Sequence, residues 1–234
     1  MDTQQLKKPI CSDWIFASWL AFAWAASASS STAAETVHVP NRVAAASEGM
    51  TRPYTHPMID DAVALRGAAL LSALRQGGLV LFMRHTQTGT VTAQCNMLNL
   101  STAGERDARF VGDSIRKLRV PIGRVLSSPV CRVSDTARLL GLGEPELTSD
   151  LSNIPVPPDA DLGAARARRL SEMPARATNT LMVSHMQSGK SQDQWLHLDF
   201  GEIIVFRPDA KGQSIALARI RADDWYDLMA IEQK

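Results

Sequence analysis

From Asp60 onward the apolar positions recur with two different periods. Val63, Gly67, Leu70, Leu71 and Leu74 fall on one helical face, and Gly77-Gly78 ends that helix. Leu79 to Met83 is an unbroken apolar run, too short for a helix, and predicts a strand buried on both faces. Thr102 and Glu105 have capping-box spacing, and Ala108, Val111, Gly112, Ile115 and Leu118 form a helical stripe that stops before Pro121. Arg124 to Ser128 predicts a second strand. Pro129 opens a helix that turns Val133, Thr136, Ala137 and Leu140 inward and ends at Gly141.

Residues 142–162, rich in Pro and Asp, predict a loop, followed by an Ala/Arg helix over Gly163–Met173. Thr180 to Ser184 predicts a third buried strand. Glu202–Arg207 and Ser214–Arg221 flank a Pro-Asp-Ala-Lys-Gly turn and predict a hairpin. Strands alternating with helices imply an α/β three-layer sandwich with a largely parallel central sheet, one domain over 59–234.

The N-terminal part has a different texture. Lys7 and Lys8 precede an apolar run of 15 residues, Trp14 to Ala28, with small-residue cleavage sites at Ala26-Ser27-Ala28 and Thr32-Ala33-Ala34. The run is shorter than the ~20 residues that span a bilayer. Residues 1–34 therefore read as a Sec-type signal peptide, and the mature protein as periplasmic or secreted with no remaining membrane span. An uncleaved anchor or a buried helix is the alternative reading. Residues 35–58, with Pro40, Pro53 and Pro57 among small and polar residues, read as a linker or loosely ordered arm.

Composition narrows the partners. Lys and Arg total 25 against 24 Asp and Glu, a formal net charge of +1, so no global field favours nucleic acid or a membrane surface. Any anion site must come from a local cluster. The cysteine and histidine spacings of zinc sites are absent, and no metal or cofactor is expected.

In a parallel sheet, ligands bind beyond the carboxyl ends of the strands. Those ends carry Arg84-His85 after the first strand, Ser127 to Arg132 after the second, and His185 after the third. Taken singly, each has a plain structural reading: a surface ion pair, a solvated first-turn arginine, a hydrogen-bonded histidine. Together they suit a phosphoryl group. Guanidinium forks pair phosphate oxygens bidentately. A neutral imidazole can attack phosphorus and form a covalent intermediate. A second, protonated imidazole can stabilise the charge of a loose transition state.

These words, in this order, resemble the histidine phosphatase superfamily, the phosphoglycerate mutase-like fold. The matching stretches are Leu81-Phe82-Met83-Arg84-His85-Thr86-Gln87-Thr88, Leu100-Ser101 with Gly104 and Ala108, Val125 to Pro129 with Arg132, Thr136-Ala137, Val183-Ser184-His185, and Gly201 to Phe206. The resemblance covers residues 65–225. It implies that His85 is the phosphorylated nucleophile and that Arg84, Arg132 and His185 form the phosphate pocket of an exported phosphomonoester hydrolase. Export suggests phosphorylated small molecules or glycans as substrates, with a phosphohistidine protein as the less favoured alternative. A catalytically lapsed relative that binds such a ligand without turnover is the rival reading.

The chain departs from the family pattern where Thr86 replaces a small residue after the first histidine, which predicts a narrower pocket. Met186 follows the second histidine, which removes an acid donor there, and the short segment before Gly201 predicts a trimmed helix. A leaving alkoxide needs a proton. Asp150, in Leu147-Thr148-Ser149-Asp150, matches the acid of the mutase-like branch, with Asp159 and Asp161 as rivals. Finally, Cys95 and Cys131 are the cysteines left after signal removal, and export permits a disulfide between them. It would pin the loop after the nucleophile strand against the helix carrying Arg132; two free thiols are the alternative.

Overall fold

A computed structural model of the protein describes residues 59–91, 95, 98–154, 157–186, 198–209 and 211–232. The expected signal segment 1–34, the arm 35–58 and most of the short segment before Gly201 lie outside the described residues. In chain order the elements are α1 (Gly67–Gln76), β1 (Val80–Arg84), β2 (Thr88–Val91), β3 (Leu98–Leu100), α2 (Thr102–Lys117), β4 (Ile122–Ser127) and α3 (Cys131–Leu140). Then follow β5 (Glu146–Leu147), a short 3-10 turn (Ser149–Leu151), α4 (Leu162–Ser171), β6 (Asn179–Ser184), β7 (Ile203–Pro208), β8 (Ser214–Ile220) and α5 (Asp224–Glu232).

Six strands form one sheet in the order β5-β4-β6-β1-β7-β8, and β2 pairs with β3 separately. The first four of the six run parallel, and β7 and β8 add an antiparallel hairpin at the β1 edge. Strand alternation divides the core into two layers. Leu81 and Met83 of β1 pack with Leu74 of α1, Ile115 of α2, Leu140 of α3 and Trp225 of α5. Val80 and Phe82 face the other way, with Leu151 of the 3-10 turn, Leu170 of α4 and Leu198. Helices therefore cover both faces of a mostly parallel sheet, and the expected α/β three-layer architecture is present.

Local departures have physical causes. The N-cap of α2 is Ser101, one residue before the expected box, and its hydroxyl accepts the Gly104 amide at 3.0 Å. Gly104 is itself required: a Cβ there would lie 2.1 Å from the Gln87 carbonyl oxygen. Its absence lets α2 press against the segment that follows β1. The stretch 142–162 is not all loop, because β5 pairs in parallel with β4 and buried Leu151 anchors the 3-10 turn. Helix α3 begins at Cys131 rather than at Pro129, with Val130 in the N-cap position. Helix α1 begins at Gly67, which leaves Val63 ahead of it.

The topology places the chemistry. β6 lies between β1 and β4, and all three point the same way. Register sets Arg84 opposite Ser184 and Ser127 opposite Val183. The residues that leave these strands therefore emerge side by side. Backbone bonds fix them there, from His85 N to Ser184 O at 2.9 Å and from Ser128 N to Val183 O at 3.2 Å.

Candidate active site

Four of the five expected site residues meet at this edge. His85 and His185 are buried, their ring centroids 5.6 Å apart and nearly perpendicular. The His85 Nδ1 lies 2.8 Å from the Thr86 carbonyl oxygen. A carbonyl only accepts, so Nδ1 carries the proton and Nε2 presents a lone pair. Arg132 Nε donates to that Nε2 at 3.3 Å. The same guanidinium donates through Nη2 to His185 Nδ1 at 3.2 Å, which leaves the His185 proton on Nε2, directed at Ser128 Oγ at 3.1 Å. One arginine thus grips both imidazoles by their lone pairs.

Both rings are held neutral. Burial first, then Arg84 and Arg132, push His85 down from 6.5 to about 4, against the opposing bond to Thr86. His185 is pushed down to about 3 by burial and by the positive field of Arg132, with His85, Arg84 and Arg166 adding to it. The expected protonated second histidine is therefore not the state of the free site. The cause is first the burial of both rings and then the guanidiniums that face them.

Arg84 is anchored at one corner. Its Nη1 donates to the Leu198 carbonyl at 2.8 Å and lies 3.7 Å from Met186 Sδ. Phe200 covers its guanidinium face, with Cζ 3.8 Å from the ring centroid, and the same ring lies 5.5 Å from the His85 ring. Arg84 Nε is buried and has no hydrogen-bond partner among the described residues. An arginine edge with an unsatisfied buried N–H suits an oxyanion. Burial also lowers the Arg84 and Arg132 guanidiniums from their ordinary value.

Around these groups, Thr86 is buried. Its amide donates to Thr136 Oγ1 at 3.2 Å, and that hydroxyl in turn donates to the Arg132 carbonyl at 2.7 Å. The segment after β1 and the helix carrying Arg132 are thus linked through Thr136. Gly201, at φ +74° where a side chain would be strained, donates its amide to the carbonyls of Arg84 and His85, each at 3.2 Å.

The carboxylates fare differently. Asp150 is carried to the same sheet edge, since its neighbour Leu151 accepts the Ser184 hydroxyl at 2.7 Å. Its own carboxylate, however, accepts Arg169 Nε of α4 at 2.8 Å. Asp161 caps α4 by accepting the Ala164 amide at 2.9 Å, and Asp159 is exposed. Among the described residues, no group of three or more His, Cys, Asp or Glu is placed to hold a metal ion, and no helix is long and apolar enough to cross a membrane. Sequence reasoning missed Phe200 and Arg166. Phe200 lies just before the conspicuous Gly201 and carried no signal of its own. Arg166 is a buried guanidinium in an Ala/Arg helix whose charges resembled a solvated face.

No family model matches the chain, and no curated protein matches it in sequence. Among solved structures, it is similar to the protein histidine phosphatase SixA complexed with tungstate, at 20% identity over 62% of this chain and 98% of that one, TM-score 0.46. It is also similar to a phosphoserine phosphatase from Entamoeba histolytica in complex with phosphoserine, at 15% identity over 62% and 98% of the two chains, TM-score 0.42. A third is the alpha-ribazole phosphatase from Shigella flexneri, at 17% identity over 59% and 94%, TM-score 0.41. Each of these three solved structures is named as a phosphatase.

Proposed function

We infer that the protein is an exported phosphatase that hydrolyses phosphomonoesters through a phosphohistidine on His85. One observation carries the reading: Nδ1 of a buried, neutral His85 is committed to the Thr86 carbonyl, so its Nε2 lone pair points among arginines. As the phosphoryl group arrives, Arg132 turns from the imidazoles to its oxygens, and the open Nε edge of Arg84 takes another. Nε2 attacks phosphorus, the bond from phosphorus to the ester oxygen breaks, and the leaving alkoxide takes a proton from solvent water. Water then attacks phosphorus, the nitrogen–phosphorus bond breaks, and inorganic phosphate departs. The incoming dianion supplies the anion that the free site lacks, which lets His185 take up a proton and donate to a phosphoryl oxygen.

Export is supported by Lys7-Lys8, the short apolar run and the cleavage motifs, and by a disulfide in the folded domain. The substrates are then phosphorylated small molecules or glycans outside the cytoplasm. The test is rapid quench with labelled substrate followed by peptide mapping. Acid-labile, base-stable label on the Met83–Thr88 segment, absent in His85→Ala, is the expected result. Unchanged turnover in His85→Ala would refute the mechanism, and tight tungstate binding without label or turnover would favour a lapsed binding domain.

A further inference from the structure

Arg132 is the second residue of α3 and touches both imidazoles, so its placement depends on how the first turn of that helix is held. The turn begins poorly. Val130 occupies the N-cap position and gives no side-chain cap, and a β-branched apolar residue is among the weakest there. Ser128 Oγ accepts the Val130 amide at 3.3 Å, and Thr136 reaches back to Arg132 from within the helix. What fastens the turn from outside is covalent: Cys131, adjacent to Arg132, is bonded to Cys95 across 36 residues, with the Cα atoms 6.1 Å apart. Cys95 belongs to the connection between β2 and β3, the hairpin that follows the nucleophile. Its β3 arm also reaches α3, through Asn99 Nδ2 to Asp135 Oδ2 at 3.1 Å. Both half-cystines are only half-buried, within reach of a small dithiol.

We propose that the Cys95–Cys131 bond is a redox switch on Arg132: closed, it holds the guanidinium where it grips both histidines, and open, it releases the first turn of α3 and loosens the oxyanion pocket. This rests on reading that pocket as a phosphate site. Opening is a two-electron reduction by an external dithiol. One thiolate attacks a cystine sulfur, the sulfur–sulfur bond breaks, and the second thiol resolves the mixed disulfide. The reductant leaves oxidised, and Cys95 and Cys131 each end as a thiol. The chain is therefore switched on by oxidation. Folding in an oxidising compartment would close the bond and set the pocket, and a reducing one would keep it open. The Thr86–Thr136 link still ties α3 to the nucleophile segment, so opening loosens the site without dismantling the fold.

The experiment uses the full chain carrying Cys11→Ser, in oxidised form and after dithiothreitol, with thiols counted on denatured samples. Three quantities are compared: tungstate affinity by calorimetry, kcat/KM on an aryl phosphate, and the ring nitrogen resonances of His85 and His185 without ligand. Reduction is expected to weaken tungstate binding and kcat/KM about tenfold or more, the scale of a small misplacement of a catalytic group. It is also expected to shift both ring signals, with recovery on reoxidation by a disulfide reagent. A Cys95→Ala/Cys131→Ala chain should sit at the reduced level and ignore dithiothreitol; if it fails to fold, the reduction of the parent chain decides alone. Identical affinity and ring signals with two new thiols titrated would overturn the switch, as would a loss that only tracks unfolding by circular dichroism. Ring signals and tungstate binding that respond without any turnover would sink the phosphatase reading and leave the switch standing. Turnover that needs His85 yet ignores the redox state would do the reverse.

Discussion

Two neutral imidazoles buried among arginines make the fold sensitive to mild acid. His85 and His185 have ordinary values of 6.5 but are held at about 4 and about 3 in the folded chain. Their contribution to stability is complete above about pH 6.5. It falls as the pH drops from there, because the unfolded rings take up protons that the folded ones refuse, and it levels off only near the folded values. Between about pH 7.5 and about pH 5 each ring therefore costs about 2 kcal/mol, and the pair about 4. The figure at pH 5 hardly depends on the folded values, since both lie well below it. Burial pushes Glu202 up, but the hydrogen bonds from Arg219 and the Asp199 amide, with the charges of Arg219 and Arg221, together outweigh it and the net shift is downward, so its loss falls at lower pH. The assay is urea denaturation of the parent chain and of His85→Gln/His185→Gln at both pH values. With a slope of about 2 kcal/mol per molar, the parent midpoint should fall by about 2 M more than that of the double variant. The other three histidines and the carboxylates cancel in this comparison. Equal falls in the two proteins would refute the burial of two neutral rings.

Other substitutions separate the roles of the remaining groups. Arg132→Lys keeps the charge but cannot reach both rings and a phosphoryl group with one planar fork, so kcat/KM should fall about 10²–10³-fold; parity with the parent would deny it the phosphate role. Asp150→Asn breaks an ion pair with Arg169 and should lower stability by under about 1 kcal/mol while leaving the ratio of aryl to alkyl ester turnover unchanged. A selective loss on alkyl esters of about 10²–10⁴-fold would instead establish Asp150 as the acid. Phe200→Ala removes the ring stacked on Arg84 and should raise KM about 2–5-fold with little change in kcat, whereas Phe200→Tyr should restore the parent value.

The parts of the fold legible in the sequence are those where burial writes a strong pattern. β1 and β6 are buried along nearly their whole length, so they appear as the unbroken apolar stretches Leu79–Met83 and Leu181–Val183. α2 and α3 each bury one face and show it as a stripe. β5 has two exposed residues and is held by pairing with β4, which leaves no periodic trace. The β2–β3 hairpin is largely exposed, and Val91 and Leu98 alternate with nothing buried beneath them. α5 has little difference between its faces, and Trp225 and Leu228 alone mark the buried side. The site followed the same logic. Parallel strands put Arg84, His85, Arg132 and His185 together because strand ends are predictable positions. Asp150 sits on a 3-10 turn, which leaves no periodic trace in the sequence to say which way a side chain points, and its carboxylate meets Arg169.

The electrostatics of the free site explain why one arginine holds both histidines. Glu202 and Asp199 lend their negative field to Arg84, whereas no carboxylate contributes comparably to Arg132. Without an oxyanion, Arg132 finds its acceptors in the two ring lone pairs. Those bonds have a consequence beyond satisfying a donor: they require both rings to remain unprotonated at the atoms facing the pocket, so His85 is preset with its proton on Nδ1 and its lone pair on Nε2, the tautomer that the proposed attack needs. A phosphate dianion reverses the balance at every point. It offers Arg132 charged acceptors in place of neutral ones, fills the open Nε edge of Arg84, and makes a proton on His185 favourable. The groups that destabilise the fold in acid are therefore the groups that, under the proposed function, an oxyanion would stabilise: two rings kept neutral first by burial and then by the arginines around them.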